Sequence, residues 1–255
     1  MIKEESRFAS STVFEGMTSI RAVLASQNEG ARSIQRILYD RAKEKSKTKE
    51  LGYLRRISES RGFSVEGLSS DEFDSLAVGN THGGILAVCS ERALPTLTTD
   101  NIHPDGFYAM IEGIEDPYNF GYAVRSLYAA GVDGIILSPR NWMSAAGVVC
   151  RASAGASELV PIYVAEQEIA IHTFKALAYN VVCADIENSV PLYEANLRKP
   201  IFLVVGGEKR GISRAVLNAA DQIVRIDYGR EFKASLSAAS ASTVLAFEIY
   251  RQNLK

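Results

Sequence analysis

The chain lacks most of the features that mark specialised classes of protein. Its 255 residues include only three cysteines, far apart and without a Cys-x-x-Cys pair, which argues against a disulfide framework and against a zinc site. The three histidines are too scattered to indicate any other metal site. No apolar run approaches the roughly eighteen residues of a membrane span, and the N-terminus opens with charge rather than with the apolar core of a signal peptide. We therefore predict a cytoplasmic protein without a metal or a membrane partner, whose thiols are buried and inert.

The sequence also has no overall excess of basic residues. Lysine and arginine number 28 against 30 acidic residues, which gives a net charge of −2 and an isoelectric point of about 6.0. Contact with RNA or DNA would therefore need a local patch. Residues 36–56 offer one, because eight basic residues stand there against three acidic ones: Arg36, Arg41, Lys43, Lys45, Lys47, Lys49, Arg55 and Arg56. The composition predicts a phosphate-binding surface, but a solvated helix face would show the same composition.

Hydrophobic periodicity divides the chain into two α/β parts. Residues 1–92 alternate strand-like and helical runs, which predicts a small α/β domain. Residues 93–105 are rich in Thr, Pro and Asp without any period, and we interpret them as a linker. Residues 106–255 alternate apolar strands with helices, which predicts a mostly parallel sheet covered on both faces. The predicted strands are Phe107–Ile114, Gly134–Ser138, Leu159–Val164, Val181–Asp185, Ile201–Val205 and Gln222–Ile226, with helices near 120–130, 143–153, 167–179, 213–220 and 235–252.

The turn after the first of these strands contains Asn119 and Arg125. Asn119 is a credible N-cap of the helix that follows, and Gly131 is a credible C-cap. Six residues span less than two helical turns, so both side chains can face one crevice at the carboxyl end of the strand. The simpler interpretations are a helix cap for Asn119 and a surface ion pair for Arg125.

Two further turns follow apolar strands near the C-terminus. Residues 206–211, Gly-Gly-Glu-Lys-Arg-Gly, match neither the Walker loop nor the Gly-x-Gly-x-x-Gly fingerprint, but their glycines would let the backbone approach a ligand closely. Residues 235–241, Ser-Leu-Ser-Ala-Ala-Ser-Ala, begin a helix of small residues for which Ser235 is the predicted N-cap. Two such turns close together in the sequence predict one shared site.

The order of these segments resembles the motifs of a known enzyme class. Asn-Phe-Gly-x-x-x-Arg, Val-Gly-Gly-Glu-x-x-Gly-Ile and Ile-x-Tyr…Ser-Leu-Ser-x-x-x-Ala are similar in order and spacing to the three motifs of the TrmH (SpoU) branch of the SPOUT class. These enzymes are S-adenosylmethionine-dependent RNA ribose 2′-O-methyltransferases. The motifs cover about residues 107–252, and only the set is specific. Residues 80–85, Asn-Thr-His-Gly-Gly-Ile, resemble a turn of the small ribosomal-protein-like RNA-binding domain that many members carry.

The resemblance implies a fold, a cofactor site and a partner. The C-terminal part would form the deep trefoil knot of the SPOUT fold, S-adenosyl-L-methionine would bind at the knot, and each active site would be completed across a homodimer interface. The residues implied as cofactor contacts are Val205, Gly206, Gly207, Ile226, Ser235 and Leu236. The residues implied as catalytic are Asn119, Arg125, Glu208, Ser235 and Ser237.

Arg125 would be the main catalytic residue of such an enzyme. Arginine is a poor general base because its pKa exceeds about 12, so we expect Arg125 to clamp the developing alkoxide or the adjacent phosphate. Glu208 would orient Arg125 or Asn119 through a charge-assisted hydrogen bond, and a phosphate oxygen is a candidate base. We expect the RNA to be ribosomal rather than transfer RNA.

One position departs from the family pattern. Ser237 stands where the third motif usually has asparagine, and a serine hydroxyl lacks the reach of the amide. The departure leaves open a non-catalytic RNA-binding or ribosome-assembly protein that retains the scaffold. A third interpretation is a nucleotide-phosphate-binding enzyme that uses the glycine turn.

Overall fold

The structure is a computed structural model that describes residues 12–139, 145–207 and 211–254. The strands in chain order are β1 (Val13–Glu15), β2 (Ile34–Asp40), β3 (Ser64–Leu68), β4 (Ile85–Cys89), β5 (Phe107–Ile111), β6 (Gly134–Leu137), β7 (Ile162–Val164), β8 (Asn180–Ala184), β9 (Val190–Pro191), β10 (Ile201–Val205) and β11 (Gln222–Arg225). The α-helices are α1 (Gly16–Ala25), α2 (Thr48–Arg61), α3 (Ser70–Leu76), α4 (Pro117–Ala129), α5 (Ala146–Ala152), α6 (Ala156–Leu159), α7 (Gln167–Ala176), α8 (Arg214–Ala219) and α9 (Ala238–Gln252). Short 3-10 helices cover Arg41–Lys47, Thr99–Asn101 and Leu192–Glu194.

The chain divides into two compact units. The first unit consists of Met1–Ala93 together with Asn141–Leu159, and the second of Leu94–Arg140 together with Val160–Lys255. The division differs from the predicted boundaries in two respects: residues 141–159 belong to the first unit, and the second unit begins at Leu94.

The predicted linker, residues 93–105, is an ordered part of the second unit from Leu94 onward. Thr96 forms a parallel bridge with Val164, while Leu97 and Ile102 are buried in the apolar core. Buried apolar side chains thus stand between the threonine and proline residues whose composition indicated a linker.

A mixed four-stranded sheet forms the first unit, in the order β1-β4-β2-β3. Strand β4 is antiparallel to both of its neighbours, and β3 is parallel to β2. Helix α2 buries Leu51 and Leu54, as their three-residue spacing predicts, and ends at Gly62, whose φ of +73° suits glycine. Helix α3 starts with a reciprocal capping box between Ser69 and Glu72. The prediction of an α/β domain here is right.

Helices α5 and α6 join the first unit through apolar and ionic contacts. Cys150 of α5 belongs to the same buried cluster as Phe14 and Ile20. Glu158 of α6 is only 2% exposed and pairs with the buried Arg32, with 3.3 Å between guanidinium nitrogen and carboxylate oxygen. These partners are far apart in the sequence, and no local pattern indicates their contact.

The second unit contains a seven-stranded sheet in the order β7-β6-β5-β10-β8-β11-β9. Its strand pairs are all parallel, which confirms the predicted parallel α/β architecture. The neighbouring central strands β5 and β10 are wholly buried, as expected for apolar runs covered on both faces. Phe174 of α7 stacks on Phe202 of β10 with ring centroids 4.0 Å apart. The strand order reverses direction between β5 and β10, and such a switch point is where open α/β sheets bind ligands.

Some element boundaries differ from the predictions. The strand predicted at Leu159–Val164 begins only at Ile162, because Leu159 ends helix α6. Gly131 follows the C-cap of α4 with a φ of +85°, close to its predicted capping role. Among the described helices, none combines the length and apolar character needed to cross a membrane.

Candidate active site

The turn between β5 and α4 lies at the switch point. Glu112 directly follows β5 and is buried, and its carboxylate accepts a hydrogen bond from the Ser138 hydroxyl beyond β6. Asp116 is the N-cap of α4, since its carboxylate accepts the N–H of Asn119 at 2.8 Å. The prediction that Asn119 caps this helix was therefore wrong. The Asp116-Pro117 pair is the stronger signal, because the fixed φ of proline suits the first helical position.

A cavity of about 380 Å³ opens beside this turn. Its lining includes residues 113–117, Asn119 and Ala238, the first residue of α9. The volume falls within the roughly 300–1,000 Å³ typical of small-molecule pockets. Because Asp116 caps the helix, the half-buried Asn119 side chain does not serve as the cap, and it lines the cavity.

Arg125 lies further along α4 and is exposed, with no hydrogen bond or ion pair to the described part of the chain. Six residues correspond to a rotation of about 120° around a helix, so Arg125 and Asn119 point in different directions. Arg125 shares its face instead with Tyr118 and Tyr122, which are 43% and 49% exposed. Within one chain, Arg125 is therefore not among the residues that line the cavity beside Asn119.

Two glycines follow β10, and the second of them packs against the β5 turn. A Cβ atom on Gly207 would lie 2.3 Å from the carbonyl oxygen of Gly113, and one on Gly206 would lie 2.5 Å from the carbonyl carbon of Gly211. Both positions require glycine because backbone occupies the space of a side chain. The turn that follows β10 is thus in direct contact with the turn that follows β5, whereas the shared site predicted for residues 206–211 and 235–241 stays a prediction.

The other implied cofactor residues lie at strand ends and in the segment before α9. Val205 is the buried last residue of β10, and the half-buried Ile226 directly follows β11. The backbone N–H of Leu236 donates to the Tyr228 hydroxyl at 3.0 Å, which folds this segment back on itself. Glu208 lies outside the described residues, so its role stays a prediction.

Ser237 is the N-cap of α9, and its hydroxyl accepts the N–H of Ser240 at 3.2 Å. The prediction that Ser235 is the cap was wrong, because the helix begins two residues later than the small-residue pattern indicates. Serine and asparagine cap helices about equally well. Ser237 thus retains one structural role that asparagine would have at this position.

The structure brings together only part of the predicted set. Asn119 and Ala238, the residue after Ser237, line the same cavity, and Gly207 contacts Gly113. Of the predicted site residues that the structure describes, Asn119 alone lines this cavity; the others do not: Arg125, Val205, Gly206, Gly207, Ile226, Ser235, Leu236 and Ser237. Sequence reasoning missed the buried Glu112–Ser138 contact; an acidic residue directly after an apolar strand was the available signal.

The predicted phosphate-binding residues all belong to the first unit. Three of them form ion pairs: Arg36 with Glu66, Lys47 with Glu50, and Arg55 with Glu44. The Arg55 guanidinium holds the pKa of the Glu44 carboxyl below its usual range through a hydrogen bond. The others are exposed and have no ion pair to the described residues: Arg41, Lys43, Lys45, Lys49 and Arg56.

The cysteines and histidines do not form a reactive or metal-binding cluster among the residues that the structure describes. All three cysteines are free and buried. Burial raises the pKa of each thiol to about 12, so the thiols stay protonated.

The second unit is thus a parallel α/β domain with a cavity of small-molecule size at the switch point of its sheet. Residues 106–247 match the SpoU rRNA Methylase family, so the chain belongs to that family. The resemblance drawn from the motifs is confirmed.

Relatives with known names match most of the chain. The chain is 27% identical over 241 residues to the 23S rRNA (guanosine-2′-O-)-methyltransferase RlmB of Bordetella pertussis, covering 92% of this chain and 96% of the relative. It is 29% identical over 198 residues to the enzyme of the same name from Shewanella oneidensis, covering 75% and 79%. The AdoMet-bound rRNA methyltransferase of Sinorhizobium meliloti has the same fold, with a TM-score of 0.82, 22% identity and coverage of 98% and 95%.

Proposed function

We propose that the protein methylates a ribose 2′-hydroxyl of ribosomal RNA, with S-adenosyl-L-methionine as the methyl donor. Membership of the SpoU rRNA Methylase family supports RNA methyl transfer, and the names of the RlmB relatives support ribosomal RNA and the 2′-oxygen. The observation that carries the proposal is the contact of the glycine turn with the β5 turn, beside a cavity that Asn119 and the start of α9 line.

The residues at this edge fit such a cofactor. The cavity has the volume of a small-molecule pocket, and the turn at Gly206 and Gly207 leaves backbone rather than side chains at the end of β10. Bound S-adenosylmethionine would supply an electrophilic methyl group on a sulfonium. The proposed contacts are not in the lining of this cavity; they are Val205, Gly206, Gly207, Ile226, Ser235 and Leu236.

The protein's own residues would position the RNA and its charge. Arg125 is exposed and has no partner within the described chain, so its guanidinium is available to a phosphate or to the oxyanion that forms at the ribose. Asn119 would hydrogen-bond the substrate from inside the cavity, and Glu208 would orient one of these two side chains. Ser237 would hold the start of α9 in place beside them.

The exposed position of Arg125 also supports a homodimer in which Arg125 completes the partner's site. Tyr118 and Tyr122 share its face of α4, and Phe247 and Tyr250 of α9 are 44% and 48% exposed. Helices α4 and α9 are neighbours, joined by a hydrogen bond from the Thr243 hydroxyl to Ser126. Exposed aromatic residues on adjacent helices are typical of an interface. Light scattering after size exclusion should report twice the mass of the 27.8 kDa chain.

We further propose the trefoil knot of the SPOUT fold for the C-terminal part, and a cytoplasmic location. The central position of β10, with the glycine turn folded against β5, supports the knot. A crystal structure with bound cofactor would trace the chain through residues 208–210 and test it.

The non-catalytic alternative loses its main argument. It depended on Ser237 in place of asparagine, but Ser237 caps α9 as asparagine would.

The proposal is tested by transfer of a tritiated methyl group from S-adenosylmethionine to purified 23S rRNA, 16S rRNA and tRNA. Nuclease digestion and mass spectrometry then identify the methylated nucleoside, and a 2′-O-methyl nucleoside from 23S rRNA is expected. Label on a base, or no label on any RNA, would contradict the proposal.

Arg125→Ala should lower kcat by about 10²–10³-fold, the usual effect of removing a group that stabilises an oxyanion. Arg214→Ala is the control, because Arg214 is also exposed, lies on α8 and pairs with Glu187. Near-normal turnover in Arg125→Ala would exclude the proposed role of Arg125.

A further inference from the structure

The first unit contains a cavity of its own, of about 310 Å³. Its walls are the first turn of α1, residues 81–83 of the loop before β4, and Lys47, Glu50 and Arg151. The volume suits a nucleobase with its ribose, and it lies at the lower end of the range for small-molecule pockets. None of its lining residues takes part in the proposed methyl-transfer site.

His82 presents an unused hydrogen-bond donor at this cavity. The residue is only 8% exposed, and its ring packs on Phe73 with centroids 5.0 Å apart. Its Nδ1 accepts the N–H of Gly84 at 3.1 Å, which places the ring proton on Nε2. Nε2 has no hydrogen-bond partner among the described residues. Because His82 lines the cavity and its ring is held by Phe73 and Gly84, this N–H is available to an acceptor on a ligand in the cavity.

The charges in the cavity wall are already compensated. Glu15 pairs with Arg151 and also accepts the N–H groups of Val78 and Gly79 at 2.7 and 2.8 Å. Glu50 pairs with Lys47 at 3.2 Å. A free anion or cation would therefore find no opposite charge to neutralise. The side chains of Thr18, Thr81 and His82 instead suit a neutral polar group with both donors and acceptors.

Basic side chains lie directly outside this neutral cavity. A Cβ atom on Gly84 would lie 2.7 Å from Cδ of Lys43, and one on Gly83 would lie 3.9 Å from Nζ of Lys47. Lys43 and the neighbouring Lys45 are exposed, without an ion pair to the described residues. A neutral pocket next to free cations matches the chemistry of one nucleotide, whose base and ribose are neutral and whose flanking phosphates are anionic.

We propose that this cavity binds one unpaired nucleotide of the RNA substrate, with an acceptor of its base or ribose on Nε2–H of His82 and adjoining phosphates on Lys43 and Lys45. The proposal depends on the proposed function only in taking the RNA to be the substrate. In this proposal the RNA contact that recognises an unpaired nucleotide lies at the loop of residues 81–84, and not along all of the basic residues between 36 and 56.

Fluorescence anisotropy of the full chain with a short fluorescein-labelled single-stranded RNA tests the proposal. His82→Phe keeps an aromatic ring against Phe73 and removes the Nε2 donor together with the acceptor of the Gly84 N–H, so the Kd should rise by at least about threefold. His172→Phe, at an exposed position of α7, is the control and should leave the Kd unchanged. A His82→Phe protein that binds single-stranded RNA as the wild type does would overturn the proposal.

A second variant does not depend on the stability of the His82 site. Thr18 is exposed at the edge of the cavity, so Thr18→Trp should fold normally and fill the space, whereas Thr18→Ser should leave it open. Thr18→Trp should weaken binding of the single strand but not of a fully paired RNA duplex, which has no free nucleotide. Equal effects on both RNAs would contradict the proposal. Saturation by AMP alone, with no competition against RNA, would show a free-nucleotide site and would also overturn it.

Methyl transfer is measured on the same variants. The proposal predicts a raised KM for RNA with kcat unchanged. If wild-type protein shows no methyl transfer while the anisotropy pattern holds, the proposed function fails and the nucleotide site stands. If methyl transfer occurs and the anisotropy pattern is absent, only the nucleotide site fails.

Discussion

The buried ion pair between Glu158 and Arg32 leads to a quantitative prediction about the first unit. The Glu158→Gln substitution keeps the shape of the side chain and removes its charge. Both partners are nearly inaccessible to water, so Arg32 would be left as a buried cation without its carboxylate. Removing one partner of a buried pair costs about 3–5 kcal/mol, which is a large part of a typical free energy of unfolding of about 5–15 kcal/mol.

A second arginine adds to the expected loss. Burial lowers the pKa of Arg92, and the charge of Glu158 partly offsets that effect. Loss of Glu158 therefore leaves two buried guanidinium groups without the carboxylate that stabilises their charged forms. We therefore expect Glu158→Gln to lower the free energy of unfolding by about 4–5 kcal/mol.

Thermal unfolding followed by circular dichroism measures this loss. Each kcal/mol lowers Tm by about 2–4 °C in a protein of this size, so a decrease of about 8–20 °C is expected. Glu187→Gln is the matched control, because Glu187 and Arg214 form an ion pair while 68% and 71% exposed, and such pairs contribute at most about 1 kcal/mol.

A double substitution separates loss of charge from loss of packing. Combining Glu158→Leu with Arg32→Met replaces the pair by apolar side chains of similar volume, and should recover much of the lost stability. If Glu158→Gln lowers Tm no more than Glu187→Gln does, the reasoning about the buried pair is refuted, and the placement of α6 in the first unit is in doubt with it.

Two further predictions concern the cap of α9 and the thiols. Ser237→Ala should lower the free energy of unfolding by about 1 kcal/mol, whereas Ser237→Asn should leave it unchanged. The difference is measured as the shift of the urea midpoint at constant m-value. Equal midpoints for the wild type and both variants would show that the hydroxyl does not cap the helix. The three cysteines should react with a thiol reagent at neutral pH only after unfolding, and rapid labelling of the folded protein would contradict their burial. Burial raises the pKa of these thiols from 9.0 to about 12 in the folded state. Their effect on the free energy of unfolding is therefore constant below about pH 9, and the free energy of unfolding falls as the pH rises from 9 towards 12.

Patterns within single segments were predictable because their physical causes are local. The apolar run Ile201–Val205 reads as a buried strand, and Leu51 and Leu54 at three-residue spacing define the inner face of α2. Alternation of such segments over residues 106–255 was sufficient for a parallel sheet. The motif order was sufficient for the family, because the glycine turn and the small-residue helix are local features that the fold needs at fixed positions.

Caps and ion pairs were less predictable because they depend on geometry that several residues could satisfy. Asp116 rather than Asn119 caps α4, and Ser237 rather than Ser235 caps α9, because the backbone angles choose among neighbouring polar residues. Charge counting in residues 36–56 likewise did not show that Arg36 is neutralised by Glu66, which lies on the adjacent strand β3.

The amino-acid sequence by itself determined the class of fold, the family and the order of the motifs, because these follow from the spacing of residue types along the chain. Only the tertiary structure decided that residues 141–159 belong to the first unit, that Gly207 packs on Gly113, and that His82 leaves a donor facing a cavity. Each of these depends on contacts between residues remote in sequence. Such contacts depend on how the buried surfaces of distant segments pack together, and the residue pattern within one segment does not specify that packing.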